Sequence, residues 1–173
     1  MKLNKIMMAT VVAFGISSAA NAANQGSGTV RFEGSIIDAP CSISADTMNQ
    51  TVSLGQISKV ALANGGQSTP VSFDITLENC DTSTQQTVKT TFSGAASATN
   101  ADLLGIAGAA EGAGVAISQG GMLVKLNTPT SAQNLNDGTN TLQFAAYLKG
   151  ETATAVITPG DFYAVANFAL AYP

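Results

Sequence analysis

Val71-Ser72-Phe73-Asp74-Ile75-Thr76-Leu77-Glu78 alternates apolar and polar residues without a break. Successive side chains of a strand point to opposite faces, so this pattern predicts a strand with one buried and one wet face. The alternation returns in Leu142-Gln143-Phe144-Ala145-Ala146-Tyr147-Leu148-Lys149, which follows the turn formers Asn136-Asp137-Gly138-Thr139-Asn140. Weaker strand signals cover residues 50–54, 88–93, 115–118 and 122–126. No stretch of ten or more residues holds a 3.6-residue period with caps at its ends. Eight or so short strands separated by Gly, Asn, Asp and Pro predict an all-β protein, an antiparallel sandwich. Residues 93–121 break the pattern, because Ala and Gly supply more than half of them. They read as long loops with a short strand or a helical turn, anchored by Leu103, Leu104, Ile106, Val115 and Ile117.

Composition narrows the function. Charged residues make up 10% of the 173, against roughly 25% in an ordinary soluble domain, which leaves little surface for ionic chemistry. Seven Lys+Arg against eleven Asp+Glu give a net charge of -4, with no basic cluster to neutralise a run of phosphates, so nucleic acid is not an expected partner. The chain has no His, which removes the commonest general base and metal ligand and every Ser-His or Cys-His nucleophile pair. No catalytic, cofactor or metal site is expected. Glu78 and Asp81 have the residue types of a glycosidase dyad, but they flank Cys80 at a strand end, where solvated carboxylates are the ordinary outcome.

Lys2 and Lys5 precede an uncharged apolar run, residues 6–16, and small residues follow up to Ala20-Asn21-Ala22. This is the pattern of a secretory signal peptide, residues 1–22, cleaved before Ala23. The run is too short for the roughly 20 residues that a spanning helix needs, so the chain is not expected to be membrane-embedded. Export implies an oxidising compartment, in which Cys41 and Cys80, the only cysteines, are expected to form one structural disulfide. Closing so long a loop stabilises a fold by roughly 4 kcal/mol in the chain-entropy model.

Both ends of the mature chain are amphipathic. Thr29-Val30-Arg31-Phe32-Glu33-Gly34-Ser35-Ile36 puts Val30, Phe32, Gly34 and Ile36 on one face, and the last residues put Phe168, Leu170 and Tyr172 on one face before Pro173. They are either the first and last strands of the sandwich or two edges that pair with something else.

The context of the first cysteine, Gly34-Ser35-Ile36-Ile37-Asp38-Ala39-Pro40-Cys41-Ser42-Ile43, the second in Leu77-Glu78-Asn79-Cys80, and the ending Pro159-Gly160-Asp161-Phe162-Tyr163 through Tyr172 resemble the major structural pilins of chaperone-usher fimbriae. Among them the P and MR/P major subunits are the nearest in pattern. The resemblance covers essentially the whole mature chain. It implies an immunoglobulin-like incomplete β-sandwich that lacks its last strand and is completed by a donor strand from a neighbouring subunit. It divides the chain into the signal peptide, a donor extension at 23–37 and a pilin domain at 38–173. Val30, Phe32 and Ile36 would fill pockets of a neighbour's groove and Gly34 a shallow one. Gly160, Phe168, Leu170 and Tyr172 would belong to the C-terminal strand that lines the groove and is read by a periplasmic chaperone. The implied partners are copies of the chain in a head-to-tail homopolymer, the chaperone, an outer-membrane usher and other fimbrial subunits. The implied place is an adhesive extracellular fimbria. Pro173 departs from the pattern, since such chains often end in Tyr followed by a polar residue.

Two other readings stand beside the shaft subunit: a minor fimbrial subunit such as an adaptor, and a free-standing secreted carbohydrate-binding sandwich. The intact 30–36 stretch speaks against a terminating subunit. Carbohydrate sites usually present aromatic platforms, whereas this chain has no Trp and only Tyr147, Tyr163 and Tyr172.

Overall fold

The computed structural model describes residues 27–173, so the predicted signal peptide lies outside the described residues. Residues Ile37–Pro173 form one compact unit, and 27–36 belong to a separate one. Within 27–36 there is no strand, and every side chain is exposed, Phe32 at 90% and Ile36 at 104%. The amphipathic strand expected there has no ladder, because alternation selects a face but only a partner supplies the hydrogen bonds.

The compact unit runs β1 (Ser42–Ile43), α1 (Ala45–Met48), α2 (Lys59–Leu62), a 3₁₀ turn (Ala63–Gly65), β2 (Val71–Cys80), β3 (Thr87–Gly94), β4 (Leu104–Gly105), β5 (Ala107–Gly108), β6 (Ala113–Gln119), β7 (Met122–Val124), β8 (Gln133–Asn134), β9 (Gly138–Gly150), β10 (Phe162–Tyr163) and β11 (Ala166–Ala171). One sheet has the order β1-β2-β9-β6-β4, with β7 also on β6. A second has the order β11-β3-β8, and β10 pairs with β5. Every pairing is antiparallel. Ile75, Leu77, Leu142 and Phe144 of the first sheet and Val88 and Phe92 of the second share one buried cluster, so the core lies between the two sheets. The expected sandwich is the fold observed.

The two best-patterned stretches form the centre. β2 pairs with β9 from Val71↔Ala146 to Leu77↔Asn140 and resumes at Cys80↔Gly138. The intervening bulge, where Asn79 has φ of 52°, turns Cys80 to the same buried side as Leu77. Three residues after Leu77, an unbulged strand would aim Cys80 at solvent. The bulge therefore allows the Cys41–Cys80 disulfide to form inside, both cysteines being buried.

The Ala/Gly-rich segment is more ordered than its composition predicts. It holds β4, β5 and β6, and β6 joins β7 through Gly120-Gly121, both at positive φ (56° and 80°), the backbone of a two-residue hairpin turn. β6 lies between β4 and β9 and is buried from Ala113 to Ser118. A strand covered on both faces has no polar side to alternate, so it lacks the signal that revealed β2. Residues 50–54 depart in the other direction. They form no ladder, and among the described residues their one hydrogen bond given to β2 is from Gln50 Nε2 to Asp74 O at 3.0 Å.

Candidate functional site: an open apolar groove

β11 is laddered to β3 from Ala166↔Gly94 to Ala171↔Lys89. Its other edge pairs with no strand among the described residues. Across from that edge runs the unladdered segment 50–57, and between the two lies a groove of about 1580 Å³. Its floor is apolar: Phe73, Phe92, Leu104, Val115, Ile117 and Leu148. The walls are Val52, Leu54 and Ile57 on one side and Phe162, Ala164 and Phe168 on the other. All six wall residues are only partly buried while packing against the core.

The floor is held rigid by aromatic packing. Phe92 meets Phe144 edge-on at 5.0 Å between centroids and Phe73 at 6.2 Å, and Phe73 stacks on Phe144 at 5.7 Å. Phe168 leans on Phe92 at 6.5 Å and ties the β11 wall to the floor. Such pairs prefer these offset and edge-on arrangements.

The geometry differs from that of an ordinary small-molecule pocket. Small-molecule pockets run to roughly 300–1,000 Å³ and place a few converging polar groups. This one is larger, elongated and bounded by an unpaired strand edge. Its charged lining residues, Lys59, Glu111 and Asp161, lie at one end, alongside Gly160. Among the described residues, no group of three or more His, Cys, Asp or Glu is placed to hold a metal ion. What the groove lacks is a strand: hydrogen bonds for β11 and apolar side chains for the floor.

The residues singled out in the sequence fall as follows. Gly160 and Phe168 line the groove. Leu170 and Tyr172 share the inward face of Phe168 and pack on the core but are not groove-lining residues. Burial raises the Tyr172 phenol above its usual range. Gly160 is set by space, since a Cβ there would lie 2.6 Å from the Ala109 carbonyl carbon and 2.7 Å from Ala110 N. The close approach lets Asp161 O accept from Ala109 N at 2.9 Å. Val30, Phe32 and Ile36 are exposed, and Gly34 has nothing within 4 Å of where its Cβ would be. The sequence reading missed Phe162 and Ala164 and the opposite wall as groove residues. The signal was present in Phe162-x-Ala164, which continues the alternation of β11 backward, and in Val52-x-Leu54.

The likeness noted in the sequence is matched by comparison with known proteins. A family model described as "Fimbrial protein" matches residues 30–173. The Fimbria A protein of Serratia marcescens is 64% identical over 99% of both chains, and the Major MR/P fimbria protein of Proteus mirabilis (strain HI4320) is 55% identical over 99% of both. Among solved structures, the P pilus rod subunit PapA superposes with a TM-score of 0.70 at 36% identity, covering 78% of this chain and 100% of that one. The fold is thus the immunoglobulin-like pilin fold with its sheets unclosed, and the protein is not an enzyme. The chain belongs to the fimbrial protein family, as a structural subunit of an extracellular pilus.

Proposed function

We propose that this pilin polymerises by donor-strand exchange, its N-terminal extension filling the groove of the neighbouring copy. The observation that carries the reading is the pairing of two deficits. An apolar groove stands open along an unpaired strand edge, and an alternating apolar segment stands exposed without a ladder. Their lengths correspond, because Val30 to Ile36 and Phe162 to Phe168 are each seven residues, about 23 Å of strand. Burying Val30, Phe32 and Ile36 contributes roughly 1.5–3 kcal/mol each, before the cost of ordering the extension. Main-chain bonds to the free edge of β11 add to this. Gly34, without a side chain, suits a shallow stretch of the floor.

The donor enters antiparallel to β11, the better-bonded arrangement. Ile36 then lies at the Gly160 end and Val30 near Phe168. A head-to-tail contact of this kind does not close on itself and yields an open fibre. Before assembly the groove needs a temporary occupant, which is the role of the periplasmic chaperone, with an outer-membrane usher exchanging it for the next subunit. Residues 1–22 direct export, and other fimbrial subunits join by the same groove.

The test is to delete residues 23–36, co-express the subunit with its chaperone and usher, and look for heat-resistant ladders on gels and fibres by electron microscopy. The full chain is expected to give both and the deletion only chaperone complexes. Stable free monomers from both chains would show that the sandwich is complete alone.

A further inference from the structure

Met48 and Met122 are the only methionines after the predicted signal peptide, and the chain has no Trp and no His. Cys41 and Cys80 are tied in the disulfide. The readily oxidised side chains of the mature subunit are therefore the two thioethers. Both are exposed, Met48 at 53% and Met122 at 70%, but their settings differ. Met122 stands on β7 beside the Gly120-Gly121 turn and is not among the residues that line the groove. Met48 ends α1 and lines the groove.

We propose that Met48 is an oxidation site that is open while the groove is empty and shielded once a donor strand fills it, so that a peroxide damages the subunit before assembly and spares the finished joint. The inference rests on the donor-strand reading above and extends it.

The place of Met48 supplies the first argument. Thr47 Oγ1 accepts from Thr76 N at 3.3 Å and Gln50 Nε2 donates to Asp74 O at 3.0 Å, so the chain on either side of Met48 is pinned to the middle of β2. Phe73 lies on the same stretch of β2 and meets Phe92, whose register partner on β11 is Phe168. Met48 thus heads the wall that continues to Val52 and Leu54, on the Phe168 half of the groove. On the antiparallel reading this half receives Val30. A strand lying between that wall and β11 covers the side of Met48 that faces the groove.

Thioether chemistry supplies the second. A sulfur lone pair of Met48 attacks one oxygen of hydrogen peroxide and the O–O bond breaks. The departing hydroxide takes the proton of the transferred oxygen and leaves as water. The new S–O bond makes a sulfoxide, sulfur losing the two electrons that the peroxide gains. The product is polar, whereas the thioether is a soft apolar group that adapts its shape to whatever packs on it. A donor strand that covers the sulfoxide oxygen strips its water, which weakens insertion unless a hydrogen bond replaces it. Oxidation before assembly therefore lowers the affinity of the groove for its strand.

The test follows both methionines by peptide mass spectrometry during timed exposure to hydrogen peroxide, with Met122 as the internal reference for oxidant dose. Met48 is expected to oxidise several-fold more slowly in fibres than in the full chain released from its chaperone. An unchanged Met48 rate overturns the shielding. Fibres grown from the peroxide-treated chain are expected to give ladders that dissociate at a lower temperature than those of the untreated chain. Met48→Leu keeps an apolar side chain of similar volume, so it should assemble normally and lose this sensitivity, while Met122→Leu should retain it. Ladders unchanged by full oxidation of Met48, or sensitivity that survives Met48→Leu, overturn the effect on assembly. Absence of ladders from the untreated wild-type chain overturns the donor-strand reading and this inference with it.

Discussion

The N-terminal stretch 30–36 and the C-terminal strand β11 share one alternating pattern and have opposite fates. Phe168, Leu170 and Tyr172 are partly buried and β11 is laddered to β3, whereas Val30, Phe32 and Ile36 stand in solvent with no ladder. Periodicity in both cases fixes which side chains share a face, but burial depends on a neighbouring strand. β11 has a partner on one edge and an open groove on the other. The N-terminal stretch has neither. The deficit of one is what the other can supply, so the difference between the two ends becomes a statement about assembly.

The sharpest way to break that comparison is to remove the floor that the groove offers. Phe92 is 3% exposed and touches Phe73, Phe144 and Phe168. Phe92→Ala is expected to cost on the order of 3–5 kcal/mol, measured by denaturant unfolding of the subunit completed with a peptide of residues 27–37. Peptide affinity should fall too, because the wall residue Phe168 loses its support. A loss under about 1 kcal/mol would mean that the floor collapses to refill the space.

Next in size is the disulfide. Cys41→Ser with Cys80→Ser is expected to cost roughly 2–5 kcal/mol in the same assay. It should also lower the yield of chaperone-bound subunit in the periplasm, since this link anchors the chain where the extension leaves the body. Unchanged stability would make the disulfide dispensable to the fold.

Phe32→Ala tests the other side of the comparison. Phe32 is 90% exposed, so the subunit's own stability should not change, whereas its polymer should lose roughly 1.5–3 kcal/mol per joint, read as a lower temperature of ladder dissociation. Phe92 and Phe32 should therefore separate cleanly: one destabilises the subunit and the other only the fibre.

These contrasts also show what could be read from the chain in advance. The strands that form the middle of the fold, β2 and much of β9, were legible because each keeps one wet face, and the disulfide because two cysteines in an exported chain have few alternatives. β6 was only weakly legible, since a strand of Ala, Gly and Val buried on both faces carries no period. The groove was half legible. The terminal alternation put Phe168 on one face and only the family resemblance implied a groove there, whereas Val52 and Leu54 were seen as a weak strand. Their role as a wall depends on the spacing between two elements far apart in sequence, which no local pattern encodes. The bulge at Asn79 was invisible for a related reason, because it exists to bring Cys80 round to Cys41.

A smaller effect concerns Thr90, which is fully buried on β3 between Val88 and Phe92 with its Oγ1 making no hydrogen bond. Its backbone is satisfied, N–H donating to Thr130 Oγ1 at 3.0 Å and C=O accepting from Thr130 N at 2.9 Å. Only the side-chain hydroxyl carries a desolvation cost. Thr90→Val keeps the shape and removes that group, so it is expected to stabilise the completed subunit by about 1 kcal/mol, seen as a higher denaturation midpoint. Destabilisation would mean that the hydroxyl has a partner in solution.

The smallest effect falls on Tyr172, where the terminal strand leaves the sandwich. Burial of the half-covered ring raises its phenol above the usual value of 10.0, so the folded subunit holds that proton more tightly than the unfolded chain. The sign follows: the contribution is fully present below the unfolded pKa and is lost as pH rises through the higher folded value. Denaturation midpoints of the peptide-completed subunit should therefore decline above about pH 10. Tyr172→Phe should flatten part of that decline while leaving neutral-pH stability nearly unchanged. The N-terminal stretch has no Tyr, so if the Tyr172→Phe subunit declined as steeply as wild type, the alkaline loss would not come from this ring, and the packing of the last strand would not be what the pH titration reads.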